Sequence, residues 1–383
     1  MGELPNYCHI LQNLTAVPTM RRVIVYYPFF VDTGRATASQ LRPQLMVEGF
    51  RQAGYEVEVI SGYSADRKRR SRNVRRKIRN GIKYEALYCE FSVMPTLLAD
   101  RHHLPLRPFF DYHFLAFCKQ AGIRIGLFYR DIQWRFPHLR LGGIKGWIAR
   151  RFYHYDLWQC NRLLDVLFLP SLRMLEYIPF TPKMPVAALP PGVPEVRMDD
   201  LHQTMHPNSS RIRILYVGGV SVMYDFTLFL RALQRVERVE LTLCCREQEW
   251  QKEYPRYKEL LTDRIYVVHQ SGSEIAKLYQ QADYSCVTFK PEGYDLFSIP
   301  YKLYESVGYG VPVITHKGCA MAEVVEREGI GYTVEYDEDK LVVLLEQLDP
   351  STIDRERMRQ VAENNTWRVR AEQAVQQILN PTR

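Results

Sequence analysis

Residues 291–315 read PEGYDLFSIPYKLYESVGYGVPVIT. An apolar run ending in Val287, Thr288 and Phe289 precedes them at strand length. After a loop, Ile299-Pro300 opens a helix, with proline at the first helical position, where its missing N–H would be unpaired anyway. Lys302 falls in the first turn and Glu305 three residues on, on the same face. Gly308 and Gly310 close the helix, and Val311-Pro312-Val313-Ile314 begins a short buried strand. Strand, helix and strand at this spacing build a parallel sheet covered by helices.

The same segment carries chemistry. A helix N-terminus offers unpaired N–H groups and partial positive charge, which favour phosphate. Lys302 adds a full charge, and Glu305, one turn deeper, can accept hydrogen bonds from a ribose diol. The plain alternative is a surface helix with a Lys/Glu pair contributing a few tenths of a kcal/mol. The segments before and after it favour the first reading.

Working outward, the 383 residues suit two domains. Apolar content of 46% with 25% charged residues is that of a soluble globular chain. No apolar run reaches the length of a transmembrane helix, and the opening MGELPNYCHILQNLTAVPTMRR lacks the apolar core of a signal peptide. The eight cysteines form no C-x-x-C, and Cys244-Cys245 reads as a pair of buried thiols, so a reducing cytoplasm is expected. No H-E-x-x-H motif is present, and no metal is expected.

Charge is divided unevenly. Residues 1–200 hold 29 Lys and Arg against 17 Asp and Glu, whereas residues 201–383 hold 22 against 26. The first half is built to meet something anionic. Its densest run, Asp66–Asn80, contains Arg67, Lys68, Arg69, Arg70, Arg72, Arg75, Arg76, Lys77 and Arg79. Such runs are often just solvated helix. Here an anionic membrane surface is the expected partner, and nucleic acid is not, because stacking aromatics and a known RNA module are missing nearby.

In the first half, RVIVYY (22–27), a helix over 39–53 and YEVEVI (55–60) make a βαβ unit without the glycine-rich dinucleotide fingerprint. YEALYCEFS (84–92) and IRIGLFYRD (123–131) are further strands. They place Glu90 and Asp131 at carboxyl ends, where open α/β sheets hold ligands. Arg130 is a charge partner for Asp131 and Trp134 a stacking face for a sugar, although Asp131 could simply cap the next segment. Aromatics over 105–122 form core or, in part, a membrane-facing or acceptor-facing surface, and the helix over 144–160 mixes aromatic and basic residues suited to a membrane interface. Residues 194–211 read as a linker. Ile212–Val217 then runs into Gly218-Gly219, which permits close backbone approach to a phosphate or sugar. Strands and helices alternate from there to a last helix over 366–379.

PYKLYESVGYGVPVIT is similar to the donor-site segment of GT-B glycosyltransferases, where Pro, Lys, Glu, Gly and Pro-Val-Ile recur at this spacing. It especially resembles bacterial exopolysaccharide enzymes related to the xanthan-pathway glucuronosyltransferase. The resemblance runs from about Arg22 to the end and is sharpest over 285–315. It implies two Rossmann-like doubly wound α/β domains facing across a cleft: an acceptor domain over 1–195, with the helix of 366–383 packed back on it, and a donor domain over 211–365.

It further implies transfer from a nucleotide sugar, UDP-linked, to a lipid-linked oligosaccharide in exopolysaccharide or capsule synthesis, at the cytoplasmic face of the membrane. No cofactor or metal is implied. Gly218, Gly219, Ile299, Pro300 and Lys302 would hold the diphosphate and Glu305 the ribose. Tyr294 and Asp295 would meet the sugar or base. Arg130 and Trp134 would meet the acceptor, and Asp131, or failing it Glu90, would take its proton. The glycosyltransferase family 4 pattern has two glutamates separated by seven residues. Counting back from Glu305 gives Phe297, which favours inversion. The rival readings are a GT-B sugar-nucleotide epimerase and a non-catalytic binder of anionic lipid or RNA.

Overall fold

The computed structural model describes residues 20–34, 38–137, 139–194, 211–221 and 224–381. Nearly all of the expected leader and linker lies outside them. The first sheet comprises β1 (Arg22–Tyr26), β2 (Glu56–Ile60), β3 (Ala86–Glu90), β4 (Arg124–Phe128), β5 (Val166–Leu169) and β6 (Val186–Ala188), all parallel in the order β2-β1-β3-β4-β5-β6. The second comprises β7 (Ile212–Val217), β8 (Val239–Cys244), β9 (Ile265–Val268), β10 (Tyr284–Cys286), β11 (Val313–His316) and β12 (Gly331–Val334), parallel in the order β12-β11-β10-β7-β8-β9. Continuous apolar runs such as VIVY in β1 and LYC in β3 are buried along their length, as strands covered on both faces must be.

Strand order reverses direction between β1 and β3 in the first sheet and between β7 and β10 in the second. At such a point the connections leave to opposite faces and open a crevice at the carboxyl ends, where ligands bind. Glu90, Asp131, Gly218 and the segment leading to Lys302 all follow the carboxyl ends of strands in or next to these crevices.

In the first domain α1 (Ala38–Gln52) covers one face of the sheet, while α2 (Ser64–Arg79), α3 (Phe110–Gln120) and α4 (Gly143–Leu163) belong to the other. The second carries α5 (Thr227–Arg235), α6 (Glu247–Tyr257), α7 (Glu274–Gln281), α8 (Tyr301–Gly308), α9 (Ala320–Glu328), α10 (Glu338–Gln347) and α11 (Arg355–Glu363). The sequence pattern does not mark α11. β6 ends at Ala188, because Pro190, Pro191 and Gly192 cannot continue a strand.

The last helix, α12 (Trp367–Leu379), belongs to the first domain's core: Trp367, Ala371, Ala374 and Ile378 pack with Phe50, Tyr88 and Phe168. Two glycines make room for it. A Cβ on Gly126 would lie 2.5 Å from Ile378, and one on Gly49 would lie 2.3 Å from the Trp367 carbonyl oxygen. The chain thus crosses from the second domain to complete the first.

The domains are also joined at their facing edges. Phe297, from the loop between β10 and α8, is wholly buried among first-domain side chains and lies 5.1 Å from the Tyr177 ring centroid. Ser171 Oγ donates to the Phe297 carbonyl at 2.6 Å, and Arg173 Nη1 donates to the Gly318 carbonyl at 2.6 Å.

The basic run forms α2, as its polar character suggests, but not all its cations face solvent. Arg67 is 1% exposed and holds Asp111 through Nε and Nη2, at 2.9 and 3.0 Å. Lys77 pairs with Glu58, and Arg75 packs over the Phe117 ring. These three act within the fold, so Arg67 is excluded as a membrane contact. Lys68, Arg69, Arg70, Arg72, Arg76 and Arg79 remain exposed. Among the aromatics of 105–122, Tyr112 and Phe114 are core whereas Phe109 is 56% exposed.

Candidate donor and acceptor site

β10 delivers its chain to a loop, and α8 restarts over the second sheet's crevice. Pro300 caps this helix with extended ψ instead of taking its first turn; Leu303 N donates to the Pro300 carbonyl at 3.1 Å, which leaves the N–H groups of Tyr301 and Lys302 for a ligand. Ile299 turns its side chain into the second-domain core, so only its backbone can serve the site. Gly310, at φ +68°, makes the left-handed exit that brings the chain back to β11.

Lys302 crosses the crevice from α8 to the loop after β7. Its Nζ lies 4.8 Å from the Tyr216 ring centroid, and a Cβ on Gly218 would fall 1.4 Å from it. No carboxylate among the described residues comes within salt-bridge distance of this ammonium. Burial pushes its pKa down to about 8, opposed by Glu305. Glu305 sits on the same helix face and accepts a hydrogen bond from Tyr279 Oη at 3.2 Å. Burial raises its pKa, opposed by Tyr279 and Lys302. Gly219 faces Glu249, whose Oε2 accepts from Val220 N at 3.3 Å and whose other oxygen pairs with Arg246. Tyr279, Arg246 and Glu249 are neighbours that sequence reasoning missed; Arg246 and Glu249 lie far from 291–315 in the chain, and Tyr279 lies on α7, just before β10.

The glycine at 218 is therefore room for an ammonium. Gly218→Ala is expected to displace Lys302 and weaken nucleotide-diphosphate binding more than tenfold, and to lower Tm as well, because the new Cβ would also lie 2.6 Å from the Oη of the fully buried Tyr216. Calorimetric titration with UDP and a thermal melt check both halves of this prediction.

Across the crevice Asp131 is 8% exposed. Its Oδ1 accepts from Gln133 N at 2.7 Å and its Oδ2 from Tyr294 Oη at 3.2 Å. Burial raises its pKa, opposed by these two donors and by Arg130. It both caps the following turn and faces the second domain. Asp295, on the loop that carries Tyr294, is pushed up to about 7 by burial and by Glu292. Tyr224, another neighbour missed in the sequence, packs at a tilt against Phe289 beside these carboxyls.

Four expectations need correction. Glu90 has no exposed surface: Arg42 lies at 3.4 Å, Arg130 at 2.5 Å and Tyr88 Oη at 3.2 Å, so its oxygens are engaged and it cannot reach an acceptor hydroxyl. Arg130 is thereby the partner of Glu90 instead of Asp131, and its other nitrogen donates to the Ser39 carbonyl at 3.0 Å. Trp134 is 7% exposed, with Tyr153 stacked on its face at 4.8 Å and 4°, so that face is closed to a sugar. Tyr294 turns from the donor side into the first domain's aromatic cluster and spends its hydroxyl on Asp131. The structure brings together Gly218, Gly219, Lys302 and Glu305 on one wall, and Asp131, Tyr294 and Asp295 at the domain junction.

Residues 211–348, within the second domain, match the family described as Glycosyl transferases group 1. No curated protein matches the chain. Its architecture is that of the GT-B glycosyltransferases. The chain is similar to sucrose-phosphate synthase from Thermosynechococcus elongatus, with 13% identity and a TM-score of 0.59, covering 93% of this chain and 98% of that one. It is similar to Anabaena Alr3699/HepE in complex with UDP and glucose, with 13% identity and a TM-score of 0.58, covering 95% and 100%. It is also similar to WaaG, a glycosyltransferase involved in lipopolysaccharide biosynthesis, with 13% identity and a TM-score of 0.57, covering 93% and 100%.

Proposed function

We propose that this protein transfers a sugar from a UDP-linked donor to a hydroxyl of a lipid-linked oligosaccharide, with inversion, in bacterial exopolysaccharide or capsule synthesis. The observation that carries the reading is the ammonium of Lys302, without a carboxylate partner, lodged against Gly218 on the same helix face as Glu305. A part-buried cation is costly unless an anion joins it. A diphosphate fits that need, and Glu305 lies one turn deeper, where a ribose diol would follow. The match of the second domain and the neighbours that carry UDP support the same assignment.

In this reading the donor's diphosphate sits against Lys302, the α8 N–H groups and the Gly218-Gly219 turn. Negative charge develops on the leaving diphosphate as the bond to the anomeric carbon breaks, and these donors stabilise it. The acceptor hydroxyl takes the place of Tyr294 Oη on Asp131, which removes its proton as the oxygen attacks the anomeric carbon. Phe297 supports inversion. The position that would carry a second glutamate is an apolar ring sealed in the first domain, so no carboxylate stands there to flank the donor. The cytoplasmic face and an anionic membrane belong to the same proposal, because a lipid-carried acceptor is presented at a membrane surface.

Calorimetry with UDP, GDP and dTDP tests the donor half. UDP alone is expected to bind, and failure of all three sinks the assignment. Incubation of UDP-sugars without acceptor separates transfer from epimerisation, since an epimerase converts the donor unaided.

A further inference from the structure

Most of the exposed large apolar side chains among the described residues gather on one edge of one domain. The first sheet is parallel, so the segments that leave β1 to β5 emerge along the same edge. Phe30 follows β1 and stacks on Tyr63, which follows β2, at 5.2 Å and 10°. After β3 come Leu104, Leu106 and Phe109, each more than half exposed. After β4, at the start of α4, come Leu141, Ile144 and Trp147, at 59%, 79% and 54% exposure, with Ile148 beside them. The second domain's exposed apolar residues, Tyr254, Tyr266 and Val343, are scattered over separate elements.

The charge around the apolar segments that follow β3 and β4 is of one sign, whereas Asp66 stands near Tyr63. Residues 132–155 contain no Asp or Glu, and neither do residues 101–110. Exposed Arg101, Arg107, Arg140, Lys145 and Arg151 stand among the apolar groups, and Arg151 lies 5.1 Å over the Trp147 ring. A protein partner would usually bring charges of both signs to a rim of this size. Apolar side chains flanked by cations, with tryptophan between them, match the boundary between acyl chains and anionic headgroups.

We infer that this edge docks the protein on an anionic lipid bilayer, with the first turn of α4 and the 104–109 loop entering the headgroup region. The contact is not the outward face of α2, whose cations have no exposed apolar neighbours except near Tyr63. Docked this way, the domain that carries Asp131 lies against the surface at which a lipid-carried diphosphate oligosaccharide is presented. The inference rests on the membrane partner proposed above, but its test reads vesicle binding and not transfer.

The full chain is sedimented with phosphatidylcholine vesicles with and without phosphatidylglycerol, across a salt series, alongside UDP titration. Wild type is expected to bind the anionic vesicles and to lose binding with salt. Ile144→Glu combined with Trp147→Glu should weaken it more than tenfold, and Lys145→Gln with Arg151→Gln roughly fivefold per charge removed. Arg76→Gln with Arg79→Gln, at the far end of α2, should change it much less. All variants should bind UDP as wild type does, which separates docking from the donor site and shows that they fold. No vesicle binding, binding lost only in the α2 variant, or an α4 variant that instead loses self-association or RNA binding would each overturn the inference.

Discussion

Asp131→Asn is expected to lower turnover of sugar transfer by about 10²- to 10⁴-fold, the range for loss of a positioned general base, while UDP binds as before. The amide keeps the shape and can still accept from Gln133 N, so the turn at 133–135 should persist and Tm should change little. It cannot accept the acceptor's proton. Glu90 gives no fallback, since two guanidiniums and a tyrosine hydroxyl already surround it. The pH profile supplies an independent check. Burial holds the Asp131 pKa above the ordinary carboxylate value, and the base must be ionised to act. Activity should therefore rise with pH along an acid limb lying above the usual carboxylate range. If Asp131→Asn retains more than a tenth of wild-type turnover, the base is elsewhere, and Asp295 becomes the next residue to replace.

The second large effect belongs to Lys302. Lys302→Ala should weaken UDP binding by roughly 10- to 150-fold, the equivalent of one hydrogen bond to a charged group. Turnover should fall by about 10²- to 10³-fold if the same ammonium follows the charge that develops on the leaving group. Stability should not fall with it. A part-buried cation without a carboxylate partner costs folding energy, so the alanine variant is expected to melt at the same temperature or higher. A residue that served only to hold the fold would do the opposite.

Linkage gives the pH dependence of binding. The Lys302 pKa is lowered to about 8 in the free protein, and a bound diphosphate favours the protonated form. Binding above pH 8 must therefore take up a proton, and UDP affinity should decline as pH rises through 8. Calorimetry in two buffers of different ionisation enthalpy detects the uptake directly. Affinity that is flat from pH 7 to 9 would mean that Lys302 does not touch the phosphates.

Much of the second domain is legible because one local unit repeats. Each buried strand is followed by a helix, and Lys302 and Glu305 share a face by helical spacing alone. Gly218 and Gly219 stand out for a similar reason, since a pair of glycines directly after a buried strand is itself a backbone signal. The first domain's site residues were harder to read. Glu90 and Asp131 both stand at strand ends with polar surroundings, and nothing in the local sequence says that Arg42 and Arg130 close over the first. Arg130 precedes Asp131 in the chain, yet its guanidinium reaches across to a different strand. Trp134 looks like a stacking platform until Tyr153, a turn and a helix later, is found on its face.

Sequence alone determined the layout: two parallel α/β domains, because strand-length apolar runs alternate with amphipathic segments, and a phosphate-ready helix start with a lysine beside it. It also determined the uneven charge, which is a sum over residues and needs no coordinates. Tertiary structure decided which of those charges are free. It buried Arg67 against Asp111, paired Glu90, left Lys302 without a carboxylate, and set Tyr294 of one domain on Asp131 of the other. It also collected apolar residues from separate segments on one edge, because parallel strands release their chains on the same side. Contacts such as these join residues between 40 and 170 positions apart, and only packing, not local periodicity, selects among the partners available at that distance.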